Sequence, residues 1–240
     1  MFGPEQESPA ISRVFHTRGE TRAFYNKIAD YYDLLSEHSE APVRAAALDV
    51  LEARAGERIL EIGCGTGHSA AELGRFVGPA GRVFAFDLSE RMLARTVDLA
   101  TRREVATLVC PVSGDALQLP FRNACMDAVL LSFTLELFDT EEIPAVLAEC
   151  RRVLKPEGRI AVAGMSKEGP GGLVVQVYEW SHRHFPNFID CRPIFVGRAL
   201  ESAGFRLLKR QLMEIWLPVE VVLAARGAGG SSGALDGNCG

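Results

Sequence analysis

The sequence has no CxxC cysteine pair, no apolar run long enough to cross a bilayer and no excess of basic residues. Its six cysteines are scattered over 240 residues, which is typical of reduced thiols and not of a disulfide framework or zinc site. Its apolar runs fall short of the ~20 residues that a membrane-spanning helix needs. The polar stretch 2–20 is interrupted by prolines and does not resemble a signal peptide. We therefore expect a cytoplasmic protein without an integral membrane segment.

The charge balance and the histidines exclude two further classes of partner. The formal net charge is −5, so the chain has no bulk attraction for nucleic acid or for an anionic membrane. His182 and His184 lie two residues apart on a predicted helix and face different directions, so we expect no shared metal ion. A small-molecule partner is the remaining expectation, and a homodimer stays open.

Strand-like and helical patterns alternate along most of the chain, which predicts a parallel sheet covered by helices. The fold class is α/β: a Rossmann-like, seven-stranded, mostly parallel sheet with helices on both faces and an antiparallel last strand. The predicted domain covers residues 20–226 and begins with a helical lid over about 20–54. Residues 1–19 are expected to be flexible, as is the Gly/Ser-rich tail 227–240.

Four local predictions can be compared directly with the structure. Apolar periodicity predicts one helix over Thr21–Leu35 and another over Leu173–His184. The third strand is predicted over Thr107–Val112. A turn over Lys155–Gly158 is predicted to precede a strand over Arg159–Met165.

The most informative segment is 59–67, Ile-Leu-Glu-Ile-Gly-Cys-Gly-Thr-Gly. A buried strand is predicted over Arg58–Ile62 and carries Glu61 near its end, and glycines follow at 63, 65 and 67, where a missing Cβ lets the backbone approach a ligand. A dinucleotide site has G-x-G-x-x-G spacing and binds a pyrophosphate. Glu61 would repel a pyrophosphate and attract an ammonium group, so the ligand is predicted to have a cationic end.

Two more acids follow the next two predicted strands. Asp87 is placed to accept hydrogen bonds from both hydroxyls of a ribose, and Asp115 from an adenine amino group. Leu88, Met92 and Ala116 are predicted to line the adenine. A cationic amino acid, a ribose and an adenine together describe S-adenosylmethionine.

The chain resembles the class I S-adenosylmethionine-dependent methyltransferases, in the branch of the ubiquinone/menaquinone C-methyltransferases. The resemblance covers roughly residues 23–226. Its motifs are Glu61–Gly67, Asp87-Leu-Ser, Gly114-Asp-Ala-x-x-Leu-Pro-Phe121, Asp127-Ala-Val and Glu149–Gly158, and the segment Tyr25–Asp33 is similar to the family's N-terminal lid.

The resemblance implies roles for individual positions. Glu61 and the loop with Gly63, Cys64, Gly65 and Gly67 would hold the methionine portion, although we interpret Cys64 itself as a small filler. Asp87 would hold the ribose, and Asp115 and Ala116 the adenine. Ser132 and Phe133 would face the methionine and the transferred methyl group, and Tyr25 and Tyr32 would close the lid.

The acceptor is less defined. Many relatives carry histidine where this chain has Glu136, so a base cannot be transferred from the family. The candidates for polar contact or proton transfer are Glu136, Tyr178, His182, His184, Asp190 and Arg192. Arg192, beside Pro193, could equally tie down its loop. An aromatic cluster predicts an apolar or aromatic acceptor, although the same residues could simply pack the lid. The members of this cluster are Tyr178, Trp180, Phe185, Phe188 and Phe195.

Two other functions compete with a methyltransferase. A non-catalytic S-adenosylmethionine-binding or assembly module on the same fold stays open because no clear base is present. The glycine spacing and Glu61 disfavour a nicotinamide oxidoreductase.

Overall fold

A single twisted sheet of seven strands organises the chain. The computed structural model describes residues 17–168, 192–215 and 218–227, and for 33–39 the helical backbone alone. The strands are β1 Arg58–Ile62, β2 Arg82–Asp87, β3 Val109–Ser113, β4 Met126–Ser132, β5 Leu154–Met165, β6 Phe205–Glu214 and β7 Pro218–Arg226. Their spatial order is β3-β2-β1-β4-β5-β7-β6.

The pairing confirms the predicted sheet. The pairs β3–β2, β2–β1, β1–β4 and β4–β5 are parallel, and β7 runs antiparallel to both β5 and β6. Strand order reverses between β1 and β4, so the carboxyl ends of these strands flank the crevice where open α/β sheets bind ligands.

The helices in the described ranges connect these strands. They are α1 Arg18–Ile28, α2 Tyr32–Leu51, α3 His68–Val77, α4 Glu90–Arg102, α5 Ile143–Val153 and α6 Val196–Ser202. Within those ranges, no helix is both long and apolar enough to cross a membrane.

Each face of the sheet buries its own apolar core. Residues from α2, α3 and α4 pack against one face, and residues from α5 and α6 against the other. Strand β4 is covered on both faces, which explains its nearly continuous apolar sequence, Met-Asp-Ala-Val-Leu-Leu-Ser.

The single helix predicted over Thr21–Leu35 is wrong. The structure has two helices, α1 ending at Ile28 and α2 beginning at Tyr32. Asp30, in the break between them, pairs with Arg91 and Arg95 of α4. These tertiary contacts hold α1 on α4, and the periodicity of one segment cannot report them.

Two strand boundaries also differ. Strand β3 begins two residues later than predicted, at Val109. Strand β5 begins at Leu154 and includes the predicted turn, because Leu154 pairs with Met126 before the register shifts to Arg159 opposite Ala128. The helix predicted over Leu173–His184 lies outside the described residues.

Candidate functional site

The glycine loop leaves the carboxyl end of β1 and turns sharply into α3. The N–H groups of Gly63 and Cys64 both donate to the Phe86 carbonyl, at 2.8 and 3.1 Å. Gly63 and Gly65 have φ of 69° and 52°, in the left-handed region that glycine adopts without strain. A Cβ on Gly65 would meet no atom within 4 Å, so this backbone faces open space.

Asp87, at the end of β2, connects two parts of the site. Its Oδ2 accepts a hydrogen bond from Gly65 N at 2.9 Å, and its Oδ1 accepts one from Ser89 N at 2.8 Å. Burial raises the pKa of Asp87 to about 6, although these N–H donors lower it in part. The carboxylate therefore fixes the glycine loop and stays at the cavity wall.

The larger of two cavities beside the loop contains about 720 Å³ of empty space, counting its open mouth, within the ~300–1,000 Å³ of small-molecule sites. It is lined by all but three of the residues predicted to bind a cofactor: Tyr25, Tyr32, Gly63, Gly65, Asp87, Leu88, Met92, Asp115, Ala116, Ser132 and Phe133. We call it the first cavity.

Glu61 lies on the other side of the loop and lines a second cavity, together with Cys64, Arg44, His68 and Ser69. The side chains of a strand alternate between its faces, so Glu61 shares the face of Ile59, which packs in the core under α2 and α3. Only 3% of Glu61 is exposed. Burial raises its pKa to about 8, while Ser69 and Arg44 lower it in part.

Asp115 lines the first cavity from the loop after β3, two strands away from the glycine loop that follows β1. Its Oδ1 accepts a hydrogen bond from Leu117 N at 3.0 Å. Its Oδ2 lies 3.2 Å from Nε of Arg18, the first residue of α1. Arg18 also lines this cavity, and no sequence motif singled it out.

The segment after β4 forms the cavity wall nearest the loop. Phe133 has a φ of 50°, which is rare for a residue with a side chain. The Thr134 hydroxyl donates to the Ser132 carbonyl at 2.9 Å. A Cβ on Gly63 would lie only 2.3 Å from Thr134 Oγ1, so that glycine is needed for this close contact.

Glu136 is fully buried, but it lines neither cavity. Its Oε1 accepts a hydrogen bond from Met165 N at 3.1 Å. Burial, and secondarily the charge of Glu40, raise its pKa to about 7. Its role as a proton acceptor therefore stays a prediction that requires the acceptor to reach the end of β5.

Two of the residues predicted to bind the cofactor have a packing role in the structure. Gly67 lines neither cavity, and a Cβ there would lie 2.7 Å from Thr96 Cγ2, so this glycine allows α3 and α4 to pack closely. The Cys64 thiol is buried in the core. Burial and the charges of Asp87 and Glu61 raise its pKa well above the usual range, which agrees with a small filler and not a reactive thiol.

The predicted acceptor residues are described only in part. Arg192 is 1% exposed and donates to Thr140 Oγ1 at 3.1 Å and to the Phe138 carbonyl at 2.5 Å, contacts that tie its loop to the segment after β4. Phe195 precedes α6, and Arg198 lies over its ring at 4.5 Å. The other candidates lie outside the described residues: Tyr178, Trp180, His182, His184, Phe185, Phe188 and Asp190.

Sequence reasoning missed Arg18, Arg44 and His68, which line the two cavities. His68 follows the last glycine directly, so its position at the start of α3 was a usable signal. Arg18 and Arg44 belong to helices that reach the site through tertiary packing, and no local pattern marks them.

Comparison with known proteins finds a matching family model and related proteins. Residues 59–158 match the family model described as a methyltransferase domain. The chain is 33% identical over 147 residues to the 2-phytyl-1,4-naphtoquinone methyltransferase of Synechococcus elongatus, an alignment that covers 60% of this chain and 62% of that protein. The chain therefore spans less than two thirds of that relative.

A second relative is covered more fully. The demethylmenaquinone methyltransferase of Lactobacillus johnsonii is 30% identical over 173 residues, which cover 68% of each protein. Among solved structures, the Burkholderia thailandensis 1,6-didemethyltoxoflavin-N1-methyltransferase superimposes with a TM-score of 0.67 at 20% identity, covering 94% of this chain and 99% of the other. That likeness shows a shared fold.

Proposed function

This chain belongs to the class I S-adenosylmethionine-dependent methyltransferases and resembles their ubiquinone/menaquinone branch, and on that premise we propose that it methylates a small, apolar or aromatic acceptor. The observation that carries the proposal is the glycine loop, which lies between three carboxylates at the ends of neighbouring strands. The loop faces open space at Gly65.

The residues present fit S-adenosylmethionine. Among the described residues, Glu61 Oε2 has no hydrogen-bond partner, and burial raises the pKa of this carboxyl group because ionising it without a partner is costly. An ammonium group in the second cavity would be a partner for this oxygen and would favour its ionised form, and Arg44 in the same cavity suits the carboxylate of an amino acid. Asp87 would hold the ribose and Asp115 with Ala116 the adenine, while Ser132 and Phe133 would line the path of the methyl group.

Methyl transfer requires mainly that the methyl donor and the acceptor be aligned. S-adenosylmethionine, when bound, supplies a methyl group on a sulfonium leaving group. The protein's residues then hold the two reactants in line and exclude water, and such positioning can contribute ~7–11 kcal/mol to lowering a barrier. A base is required only for an acceptor that must lose a proton. Among the residues that the structure describes, Glu136 is the candidate for this base.

The proposed class of acceptor rests on the aromatic cluster in the sequence and on the names of two relatives. Two of them are named for a phytyl-naphthoquinone and a demethylmenaquinone, which agrees with the apolar or aromatic acceptor predicted from the aromatic cluster. We also propose a cytoplasmic location and no nucleic-acid partner, because the net charge is −5 and the cysteines are scattered. A homodimer remains a hypothesis for a sedimentation measurement.

Calorimetry with S-adenosylhomocysteine tests the cofactor part of the proposal. We expect micromolar-range affinity for the wild-type chain and loss of most binding in Asp87→Ala, which removes both ribose contacts. An unchanged dissociation constant would show that Asp87 does not hold the ribose.

Turnover is tested separately. Release of S-adenosylhomocysteine is measured against a panel of quinols, phenols and aromatic heterocycles. Binding without turnover across the whole panel would favour the non-catalytic module.

A further inference from the structure

Arg18 stands at an unusual place for a basic residue. It is the first residue of α1, where the helix dipole disfavours positive charge. Its position is nevertheless fixed, because Thr17 and Glu20 form a capping box on either side of it. A cation held at the unfavourable end of a helix needs partners elsewhere in the fold.

Those partners surround one end of the first cavity. Arg18 Nε lies 3.2 Å from Asp115 Oδ2, and Nη2 lies 2.7 Å from Glu142 Oε2. The guanidinium is also 4.7 Å from the centre of the Phe138 ring. Arg18, Asp115 and Phe138 all line the cavity, so the charge covers the end at which Asp115 is expected to meet adenine.

The contacts of Arg18 are electrostatic and not directional. Its Nε and Nη2 are shielded from solvent, and neither has a hydrogen-bond partner of good geometry among the described residues. A planar guanidinium can keep such ion pairs at its edge while its face stacks on an aromatic ring.

The two oxygens of Asp115 have different partners. Its Oδ1 accepts a hydrogen bond from Leu117 N and its Oδ2 faces Arg18 Nε, so an adenine amino group that bonds Oδ2 would share it with Arg18 or displace Arg18 from it. Arg18 keeps Glu142 and the Phe138 ring when this oxygen is taken, and its charge is never left without a partner.

We infer that Arg18 is a further cofactor-binding residue, which covers the adenine and yields Asp115 Oδ2 to its amino group. This inference rests on the proposed function and deepens it, since it assigns the adenine end of the cofactor to α1. The helix is held against α4 by other residues: Arg22 pairs with Glu90, and Asn26 Oδ1 accepts a hydrogen bond from the Ser89 hydroxyl.

The test compares two arginines of α1 and two ligands. Arg22→Ala is the matched control, because Arg22 is one turn from Arg18 and anchors α1 without lining either cavity. The ligands are S-adenosylhomocysteine and 5′-methylthioadenosine, which lacks the amino-acid end. Calorimetry gives the dissociation constants, and surface plasmon resonance gives the dissociation rates.

We expect Arg18→Ala to raise the dissociation constant of both ligands about tenfold, through faster dissociation, as loss of a desolvated arginine–ring contact implies. Arg22→Ala should change either constant less than about twofold, as for an exposed ion pair. Arg44→Ala should weaken S-adenosylhomocysteine alone, because methylthioadenosine does not reach the second cavity.

The remaining outcomes test the role of Arg18 and the proposed function separately. If the wild type binds both ligands and Arg18→Ala binds them equally well, the inference is wrong and the proposed function stands. Equal losses in Arg18→Ala and Arg22→Ala would show that α1 acts only as a unit, and would also overturn the inference. If the wild type binds neither ligand, the proposed function fails and the role of Arg18 fails with it.

Discussion

Gly63 and Gly65 lie two residues apart in one loop, yet a methyl group on each would meet different surroundings. At Gly65 the added Cβ has no neighbour within 4 Å, whereas at Gly63 it lies 2.3 Å from Thr134 Oγ1. Both residues have positive φ, so alanine is strained at either position, by about 1–2 kcal/mol. The difference between them is therefore steric.

This contrast gives the first prediction. Gly65→Ala should lower the free energy of unfolding by only about 1–2 kcal/mol and should abolish S-adenosylhomocysteine binding, because its Cβ enters the ligand's space. Gly63→Ala should lose a further ~1–3 kcal/mol through overpacking. Urea unfolding and calorimetry measure the two effects.

A second substitution serves as the control for this pair. Thr134→Gly in the Gly63→Ala background should recover part of the lost stability, since it removes the clashing side chain. If Gly65→Ala bound the ligand as well as the wild type, the loop would not contact the cofactor.

Glu61 carries the second prediction, which concerns pH. Its pKa is about 8 in the fold and 4.5 for an ordinary glutamate, so between these values the folded protein holds a proton that the unfolded chain releases. The stability of the cofactor-free protein should therefore fall as pH rises from about 5 to 8. Glu61→Gln should remove this dependence and be more stable than wild type at pH 8.

Cofactor binding should show the opposite preference. An ammonium group favours the carboxylate, so binding at pH 7 should release close to one proton, and affinity should increase between pH 7 and 8. Calorimetry in two buffers of different ionisation enthalpy measures the release. A Glu61→Gln variant that released as many protons as the wild type would assign the titration to another group.

At the scale of elements, the loop after β3 is held by α5. Arg152 donates to the carbonyls of Leu119 and Phe121 at 2.9 and 2.7 Å. Glu149 Oε2 accepts a hydrogen bond from Leu119 N at 2.7 Å and a second from Arg152. These contacts hold the part of the loop that follows Asp115, so the Glu149–Gly158 motif acts on the adenine end from a distance.

The third prediction follows from this contact. Arg152→Ala should raise the S-adenosylhomocysteine dissociation constant several-fold, because the freed loop no longer presents Asp115, and should lower stability by about 1–3 kcal/mol. The control is Arg151→Ala, since within the described part of the chain the Arg151 guanidinium makes only a 3.4 Å hydrogen bond, to the Gly227 carbonyl. Equal affinity in the two variants would exclude a positioning role for Arg152.

At the scale of the whole molecule, the two edges of the sheet have separate tasks. The cavities lie at the carboxyl ends of the strands, and contacts that stabilise the fold lie at the amino ends. Arg159, which follows the register shift in β5, donates to the Leu51 and Glu52 carbonyls at 2.6 and 2.7 Å and pairs with Glu57 at 2.8 Å. One side chain thereby joins the end of α2, the loop before β1 and the centre of the sheet.

The fourth prediction separates stability from binding. Arg159→Ala should lower the free energy of unfolding by about 2–4 kcal/mol, because it leaves a half-buried carboxylate and two carbonyls without their donor. It should leave the dissociation constant unchanged at temperatures where the variant is folded. Arg82→Ala, which removes an exposed contact to the Thr107 carbonyl at the same edge, should cost less than about 1 kcal/mol.

The sequence by itself determined the sheet and the identity of the loop. Alternating strands and helices, the apolar run of β4 and the glycine spacing are local patterns, and each reflects a local requirement for burial or for positive φ. The acids at 61, 87 and 115 were also visible, because each lies within two residues of the end of its strand. The face of β1 on which Glu61 lies, and the second cavity on that face, were not predicted.

Only the tertiary structure decided which distant residues meet these acids. Arg18 and Arg44 reach the cavities through the packing of α1 and α2, and the break between these helices depends on Asp30 contacting α4. Burial also set the charge state of Glu61 and Glu136, since a raised pKa reflects the atoms that surround a carboxyl group. Such surroundings come from segments far apart in the chain, so no local pattern encodes them.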